Sequence, residues 1–336
     1  MSFDPNAPAG ADAGIFGLPH GPDDAAVHVL PVPFDATASY GKGAARGPEA
    51  VLRASAQVDL LDLVAGDPTP QWKAGIWMAP IDPGVLAWNE AATAAVARHD
   101  VSAVDGIMGE LNAWVRERTD AALDAGKLSA LLGGDHSTPF GAIEAHAARH
   151  PGMGVFHVDA HADLRVAYEG FEWSHASILH NVASKLDVGT IVQVGLRDLC
   201  DEELEAIRGS GGRIRALFDH EWADARFTGQ DLVSLVRRTI EPLPKEVYVT
   251  VDVDGLDPTL CPGTGTPVPG GLSWHEAMLW LGELARSGRR IVGLDLNEVS
   301  PSPIADGSDP DRDSWDAVIG ARLLYRMIGF ALASRA

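Results

Sequence analysis

The sequence predicts an α/β fold, a mainly parallel sheet with helices on both faces. Six short apolar runs lie at 27–32 (VHVLPV), 128–132 (LSALL), 154–158 (GVFHV), 190–194 (TIVQV), 247–253 (VYVTVDV) and 291–296 (IVGLDL). Their length and near-continuous apolar character suit strands covered on both sides. Between them run longer stretches with helical spacing, at 91–125, 139–149, 229–240, 274–287 and 314–333, and such alternation builds parallel sheets through crossover helices.

No Ser/Gly/Pro linker divides the 336 residues, so residues 26–336 are read as a single domain. The first 25, rich in Pro, Gly and Asp, are expected as a flexible arm over the surface or a neighbouring subunit. A formal net charge of −21 opposes binding to nucleic acid or to an anionic membrane and suits a small cationic substrate. The opening residues lack a signal-peptide pattern and no run approaches ~20 apolar residues, so a cytoplasmic location is expected. Cys200 and Cys261 do not make a disulfide scaffold.

Polar clusters follow directly on the apolar runs, where open α/β sheets bind their ligands. The run at 128–132 leads into Gly133-Gly134-Asp135-His136-Ser137, and that at 154–158 into Asp159-Ala160-His161-Ala162-Asp163. The run at 247–253 carries Asp252 and leads into Asp254-Gly255-Leu256-Asp257-Pro258, while 291–296 ends in Asn297-Glu298-Val299-Ser300-Pro301. If strand geometry continues past Val158, the i, i+2, i+4 spacing turns Asp159, His161 and Asp163 to one side, and Asp252 and Asp254 repeat it. With His136 these make four carboxylates and two imidazoles, a set that suits two ions and favours Mn²⁺ over structural zinc, with Ni²⁺ or another divalent ion still open. Carboxylates gathered so closely repel one another unless a cation sits among them.

These motifs, in this order, resemble the signature of the ureohydrolases, which include arginase, agmatinase, formimidoylglutamase and guanidino-acid hydrolases. Ser39-Tyr40-Gly41 through Gly47-Pro48 and the stretch from Asp295 to Pro301 extend the match over roughly residues 27–330. The resemblance implies a three-layer α/β/α fold with an eight-stranded parallel sheet, a dimanganese centre at its edge, and a homotrimer or homohexamer. One ion would be held by His136, Asp159, Asp163 and Asp252, the other by Asp159, His161, Asp252 and Asp254. Water activated between them would attack a guanidinium carbon, and Asp163 would pass a proton to the departing amine. Glu298 would orient the guanidinium and His175, in Trp173-Ser174-His175, would shuttle protons. His157 is read as a core histidine.

The loop after the second motif, Leu164 to Trp173, lacks the Asn/Ser/Thr-rich character of arginase and looks more like agmatinases, whose substrate ends in an ammonium. Glu169 or Glu172 would meet that ammonium. Arg165 suits the carboxylate of guanidinobutyrate, guanidinopropionate or formimidoylglutamate, or pairs with a neighbouring glutamate. Agmatine leads; guanidine and arginine stay open. A one-metal zinc deacetylase of acetylated polyamines is opposed by His161 and Asp254, and an inactive regulatory homologue by the complete set of six ligand positions.

Overall fold

A computed structural model describes residues 3–10, 13–65, 70–301 and 314–335. Its eight strands are β1 (Val27–Val32), β2 (Ile76–Met78), β3 (Leu128–Gly133), β4 (Met153–Val158), β5 (Val188–Val194), β6 (Ile214–Leu217), β7 (Glu246–Asp252) and β8 (Arg290–Asn297). All pair in parallel, in the order β2-β1-β3-β8-β7-β4-β5-β6. The six apolar runs are six of these strands. The other two, β2 and β6, are the sheet's edges, three and four residues long. Edge strands are commonly kept this short, which leaves too little sequence for a pattern to show.

Ten α-helices connect the strands among the described residues: α1 (Gly47–Ser55), α2 (Pro83–Ala97), α3 (Val101–Asp124), α4 (Phe140–Arg149), α5 (Ile178–Lys185), α6 (Asp201–Gly209), α7 (Asp219–Phe227), α8 (Leu232–Ile240), α9 (Trp274–Arg286) and α10 (Trp315–Ala333). Helices α2 to α5 pack in succession over one face, and α1, α10, α9 and α8 over the other, giving three layers. Strand side chains alternate between the two interiors: Val155 and Tyr248 join the cluster under α4 and α5, and Phe156 and Val249 the cluster under α8 to α10. The stretch expected as one helix at 91–125 is two, because His99 takes a left-handed φ of 54° and Asp100 caps α3 by accepting from the Ala103 amide. Four helices not expected from the sequence, α1, α5, α6 and α7, have eight or nine residues each, fewer than three turns. No described helix is long and apolar enough to cross a membrane.

The expectation of a loose arm at 1–25 is corrected for residues 13–25. Ile15, Phe16 and Leu18 are buried, the Phe16 ring lies 4.8 Å from Tyr325, and the Phe16 amide donates to Ser55 Oγ at 2.8 Å. The Pro/Gly/Asp composition hides a short apolar plug, IFGL at 15–18, large enough to fill the gap between α1 and α10.

A buried ion pair fastens α10 to the loop after α1. The Asp62 carboxylate is held by Arg326, by Gln71 Nε2 at 2.9 Å and by the Val64 and Ala65 amides. Arg326→Met should cost about 3 kcal/mol, because it strands a buried charge. Arg53→Met, which breaks the exposed pair with Glu49, should cost under ~1 kcal/mol. Urea unfolding of the two variants checks this; equal midpoints would refute it.

Candidate metal centre

The four strands whose ends carry the polar clusters, β3, β8, β7 and β4, are consecutive in the sheet. The turn after β3 is shaped by close approach: a Cβ on Gly134 would stand 1.9 Å from the Phe34 carbonyl oxygen. Asp135 is committed to this turn. Its Oδ1 accepts from the Ser137 amide and hydroxyl, and its Oδ2 from the Thr37 amide and hydroxyl. His136 is thereby aimed inward, with its Nε2 2.8 Å from Thr250 Oγ1. That hydroxyl donates to Asp295 Oδ1 at 2.7 Å, so it accepts from His136 Nε2–H and leaves the Nδ1 lone pair facing the carboxylates.

His136 Nδ1 lies 3.0 Å from Asp159 Oδ2, 3.2 Å from Asp163 Oδ2 and 3.6 Å from Asp252 Oδ2. His161 Nδ1 lies 3.0 Å from Asp254 Oδ2 and 3.5 Å from Asp159 Oδ1. Two compact groups of possible ligand atoms result: His136, His157, Asp159 and Asp163, and then Asp159, His161 and Asp254. Asp159 belongs to both, one oxygen facing each histidine. Asp252 belongs to neither, since its Oδ1 accepts from the Asp254 amide at 2.8 Å while its Oδ2 turns towards His136.

Extended geometry does not continue past Val158. The chain turns, Asp163 sits at a φ of 54°, and Asp254 sits in a single 3₁₀ turn, Val253–Gly255. These turns, rather than strand alternation, bring the second and third carboxylates back to the first.

His157, expected in the core, is fully buried and reaches the cluster, its Nε2 2.9 Å from Asp159 Oδ2. The Gln193 amide nitrogen bonds both the Ala162 carbonyl and His157 Nδ1. An amide nitrogen facing that carbonyl donates to Nδ1, so the His157 proton is on Nε2 and is given to Asp159. His157 thus supports a carboxylate with a hydrogen bond. The signal was its i, i+2 relation to Asp159.

The electrostatics ask for a cation. Burial and then the Asp159 charge push Asp163 up to about 7. Burial, Asp254, Asp159 and Glu298 raise Asp252 well above the usual carboxylate range, and burial with Asp159 raises Asp254. Asp159 alone is held well below it: burial opposes the charge, but the attraction and hydrogen bond of His157, with the neighbouring His136 and His161 imidazoles, prevail. An oxygen-rich set with two imidazoles, repelling itself in this way, fits a divalent metal ion.

Glu298 is also buried, at a φ of 61°. Its amide donates to the Gly134 carbonyl at 2.8 Å and its Oε1 accepts from the His136 amide at 2.9 Å. Its Oε2 has no protein donor among the described residues. Burial and the neighbouring Asp135 raise its pKa well above the usual range.

A pocket of about 150 Å³ opens on the cluster, with His161, Asp163 and His175 at its base and Arg165, Tyr168, Asp198 and Glu203 towards its mouth. His175 Nε2 lies 3.1 Å from Ser39 Oγ, and its amide donates to Thr37 Oγ1, tying it back to Asp135. Burial, then the charge of His161, lowers the His175 pKa to about 4. Arg165 stands over the Tyr168 ring at 4.9 Å, its Nε 3.7 Å from Glu203 Oε2. Glu169 and Glu172 do not line the pocket. Glu169 takes a φ of 51° in the turn between Tyr168 and Phe171, and Glu172 is paired with Lys185 at 2.6 Å. Asp198, overlooked in the sequence, follows the run at 190–194 in Gly195-Leu196-Arg197-Asp198, so the strand-end rule used elsewhere would have found it. A larger cavity of about 510 Å³ between β1, β2 and α3 contains none of these groups.

The model of the arginase family matches residues 25–329. The chain belongs to the arginase family. It is 35% identical over 291 residues to the N(1)-aminopropylagmatine ureohydrolase of Thermus thermophilus, covering 86% of this chain and 87% of that one. It is 32% identical over 214 residues to the agmatinase of Bacillus subtilis, 62% and 68% of the two chains. The crystal structure of the proclavaminate amidino hydrolase of Streptomyces clavuligerus superposes with a TM-score of 0.69 at 26% identity, over 97% of this chain and all of that one. Arginase-family relatives are hydrolases that cleave guanidino C–N bonds, so this chain is an enzyme of the ureohydrolase class, near agmatinase in sequence.

Metal removal tests the centre directly. Dialysis against a chelator should lower the melting temperature, and Mn²⁺ at 100 times its dissociation constant should restore about 2.7 kcal/mol of stability. A melting curve indifferent to both steps would rule the centre out.

Proposed function

We propose that this arginase-family chain hydrolyses a small cationic guanidino compound of the agmatine type, releasing urea and a primary amine, with two Mn²⁺ ions as its cofactor. The observation that carries the reading is the pocket: it joins a buried Asp/His cluster at its base to a mouth whose arginine is already occupied. Arg165 is stacked on Tyr168 and shares Glu203, whereas the side chain of Asp198 is 69% exposed and lies 3.9 Å from His161 at the rim. An exposed carboxylate lining the pocket favours an ammonium tail over a carboxylate tail. The relatives named for agmatine and aminopropylagmatine support the same choice.

His136, Asp159, Asp163, Asp252, His161 and Asp254 would hold the ions, with Asp159 placed to serve both. Two divalent ions, when bound, lower the pKa of water enough to make it a nucleophile near neutral pH. Glu298 Oε2 accepts from the planar guanidinium and orients its carbon towards the cluster. Water adds to that carbon and gives a proton to Asp163, the C–N bond to the alkyl chain breaks, and Asp163 returns that proton to the leaving nitrogen. His175, between Ser39 and the pocket, exchanges protons with solvent. Asp198 holds the ammonium tail, a role expected of Glu169 or Glu172.

Urea release by Mn²⁺-loaded protein against agmatine, aminopropylagmatine, arginine, guanidinobutyrate, guanidinopropionate and guanidine, with formamide scored for formimidoylglutamate, tests the reading. Amine-tailed substrates should lead. Glu298→Gln should lower kcat/KM by about 10²–10³. Asp198→Asn should raise KM for agmatine about tenfold with kcat little changed. Preference for a carboxylate substrate, lost in Arg165→Met, would transfer the specificity role to Arg165, and silence on every substrate would refute the proposal.

A further inference from the structure

Arg197 follows β5, half-buried, and makes no ion pair among the described residues. Every hydrogen bond recorded for its guanidinium goes instead to a main-chain carbonyl. Nη1 donates to Gly195 at 2.9 Å, Nη2 to Asp254 at 2.6 Å, to Val268 at 3.0 Å and to Leu256 at 3.2 Å, and Nε to Val268 at 3.2 Å. The seat is built for it. Gly270 and Gly271 lie alongside with φ of 100° and 93°, and a Cβ on Gly271 would stand 2.8 Å from Nη2. One planar cation therefore ties together three segments: the end of β5, the turn after β7 and the loop that precedes α9.

Two of those segments carry groups that face His161. Asp254 sits in a single 3₁₀ turn, with its carboxylate 3.0 Å from His161 Nδ1. That turn is anchored from within by the Asp252 carboxylate on the Asp254 amide and by one backbone bond, from the Leu256 amide to the Val253 carbonyl. Thr266, on the loop held through Val268, donates to Asp254 Oδ2 at 3.2 Å. Arg197 thus grips the peptide that bears the carboxylate and the loop that orients it, without touching the carboxylate. Nothing of the kind holds the His136–Asp163 side, where Thr250, Asp135 and Glu298 do the orienting.

The geometry points to Arg197 as a positioning residue for one half of the metal centre: it sets the place of Asp254, and so the affinity of the ion between His161, Asp254 and Asp159, while leaving the other ion alone. This rests on the two-ion reading above. A lysine keeps the charge but offers one nitrogen, which cannot reach carbonyls lying in three directions, so Arg197→Lys fails in part and Arg197→Gln more fully.

The experiment is a Mn²⁺ titration of the metal-stripped full chain, followed by electron paramagnetic resonance and bound-metal analysis, with melting temperatures measured alongside. Arg237→Gln, which loses an exposed arginine paired with Glu283, serves as the control. The native chain and the control should take up two ions with a spin-coupled signal. Both Arg197 variants should bind the first ion normally and the second roughly 10–100-fold more weakly, with an isolated-Mn²⁺ signal at intermediate loading and turnover recovered by excess Mn²⁺. If the glutamine variant does not fold, the lysine variant alone must show the selective loss. Two ions bound with native affinity in the variants would overturn the inference, as would equal weakening of both ions with a fall in melting temperature. A native chain that holds fewer than two ions would overturn the two-ion reading, and this inference with it.

Discussion

Four carboxylates are withdrawn from water within a few ångströms of one another at the carboxyl ends of central strands, and much of the surrounding architecture answers that repulsion. Asp159 accepts from His157 and from the His161 amide; Asp254 accepts from the Ala160 amide and from Thr266. Each is a neutral or weakly charged donor placed by the main chain. Such donors lessen the penalty of confining negative charge, yet Asp163 and Asp252 remain pushed towards protonation. The protein thus holds these side chains in place through its own hydrogen bonds, the arrangement that orients candidate metal ligands.

That fixing is possible because the four contributing strand ends are neighbours in the middle of the sheet, clamped on both sides by other strands and on both faces by helices. The candidate ligands stand on short turns leaving rigid supports, and side chains of other segments help to close those turns: Thr37 on Asp135, and Arg197 on the Asp254 turn. The other residues lining the pocket, Arg165, Tyr168 and Asp198, stand on loops after β4 and β5, the kind of segment that carries binding groups on a rigid scaffold.

What the sequence revealed follows the same division. Strands covered on both faces write continuous apolar runs, so six of eight strands were legible, and the polar words after them marked His136, Asp159, His161, Asp163, Asp252 and Asp254, which the fold gathers at one place. The edges β2 and β6 and the helices α1, α5, α6 and α7 were not legible, because segments of three to nine residues carry little period; α8, equally short, showed only because its apolar residues recur at helical spacing. In the site, local spacing suggested that Asp159, His161 and Asp163 project alike along a strand; a left-handed turn at Asp163 reaches the same end by another route. Asp198 was overlooked although it follows the run at 190–194, and His157, read only as a core histidine, was two residues from Asp159; the strand-end position of one and the i, i+2 spacing of the other were the signals. Glu169 and Glu172 stood near the motif in sequence but are directed elsewhere by the turn between Tyr168 and Phe171 and by the pair with Lys185.

The strand order has a consequence for biosynthesis. β3 and β4 are consecutive in the chain, yet β8 and β7 lie between them in the sheet. A nascent chain that has left the ribosome only as far as α6 possesses two separate half-sheets, each presenting a bare hydrogen-bonding edge to the other, and no complete set of ligands. The last two strands arrive as a wedge that closes both edges at once. The cluster of candidate ligands is therefore complete only after Asp254 has emerged and the sheet only after β8, and an interrupted or truncated chain is exposed to self-association at those edges.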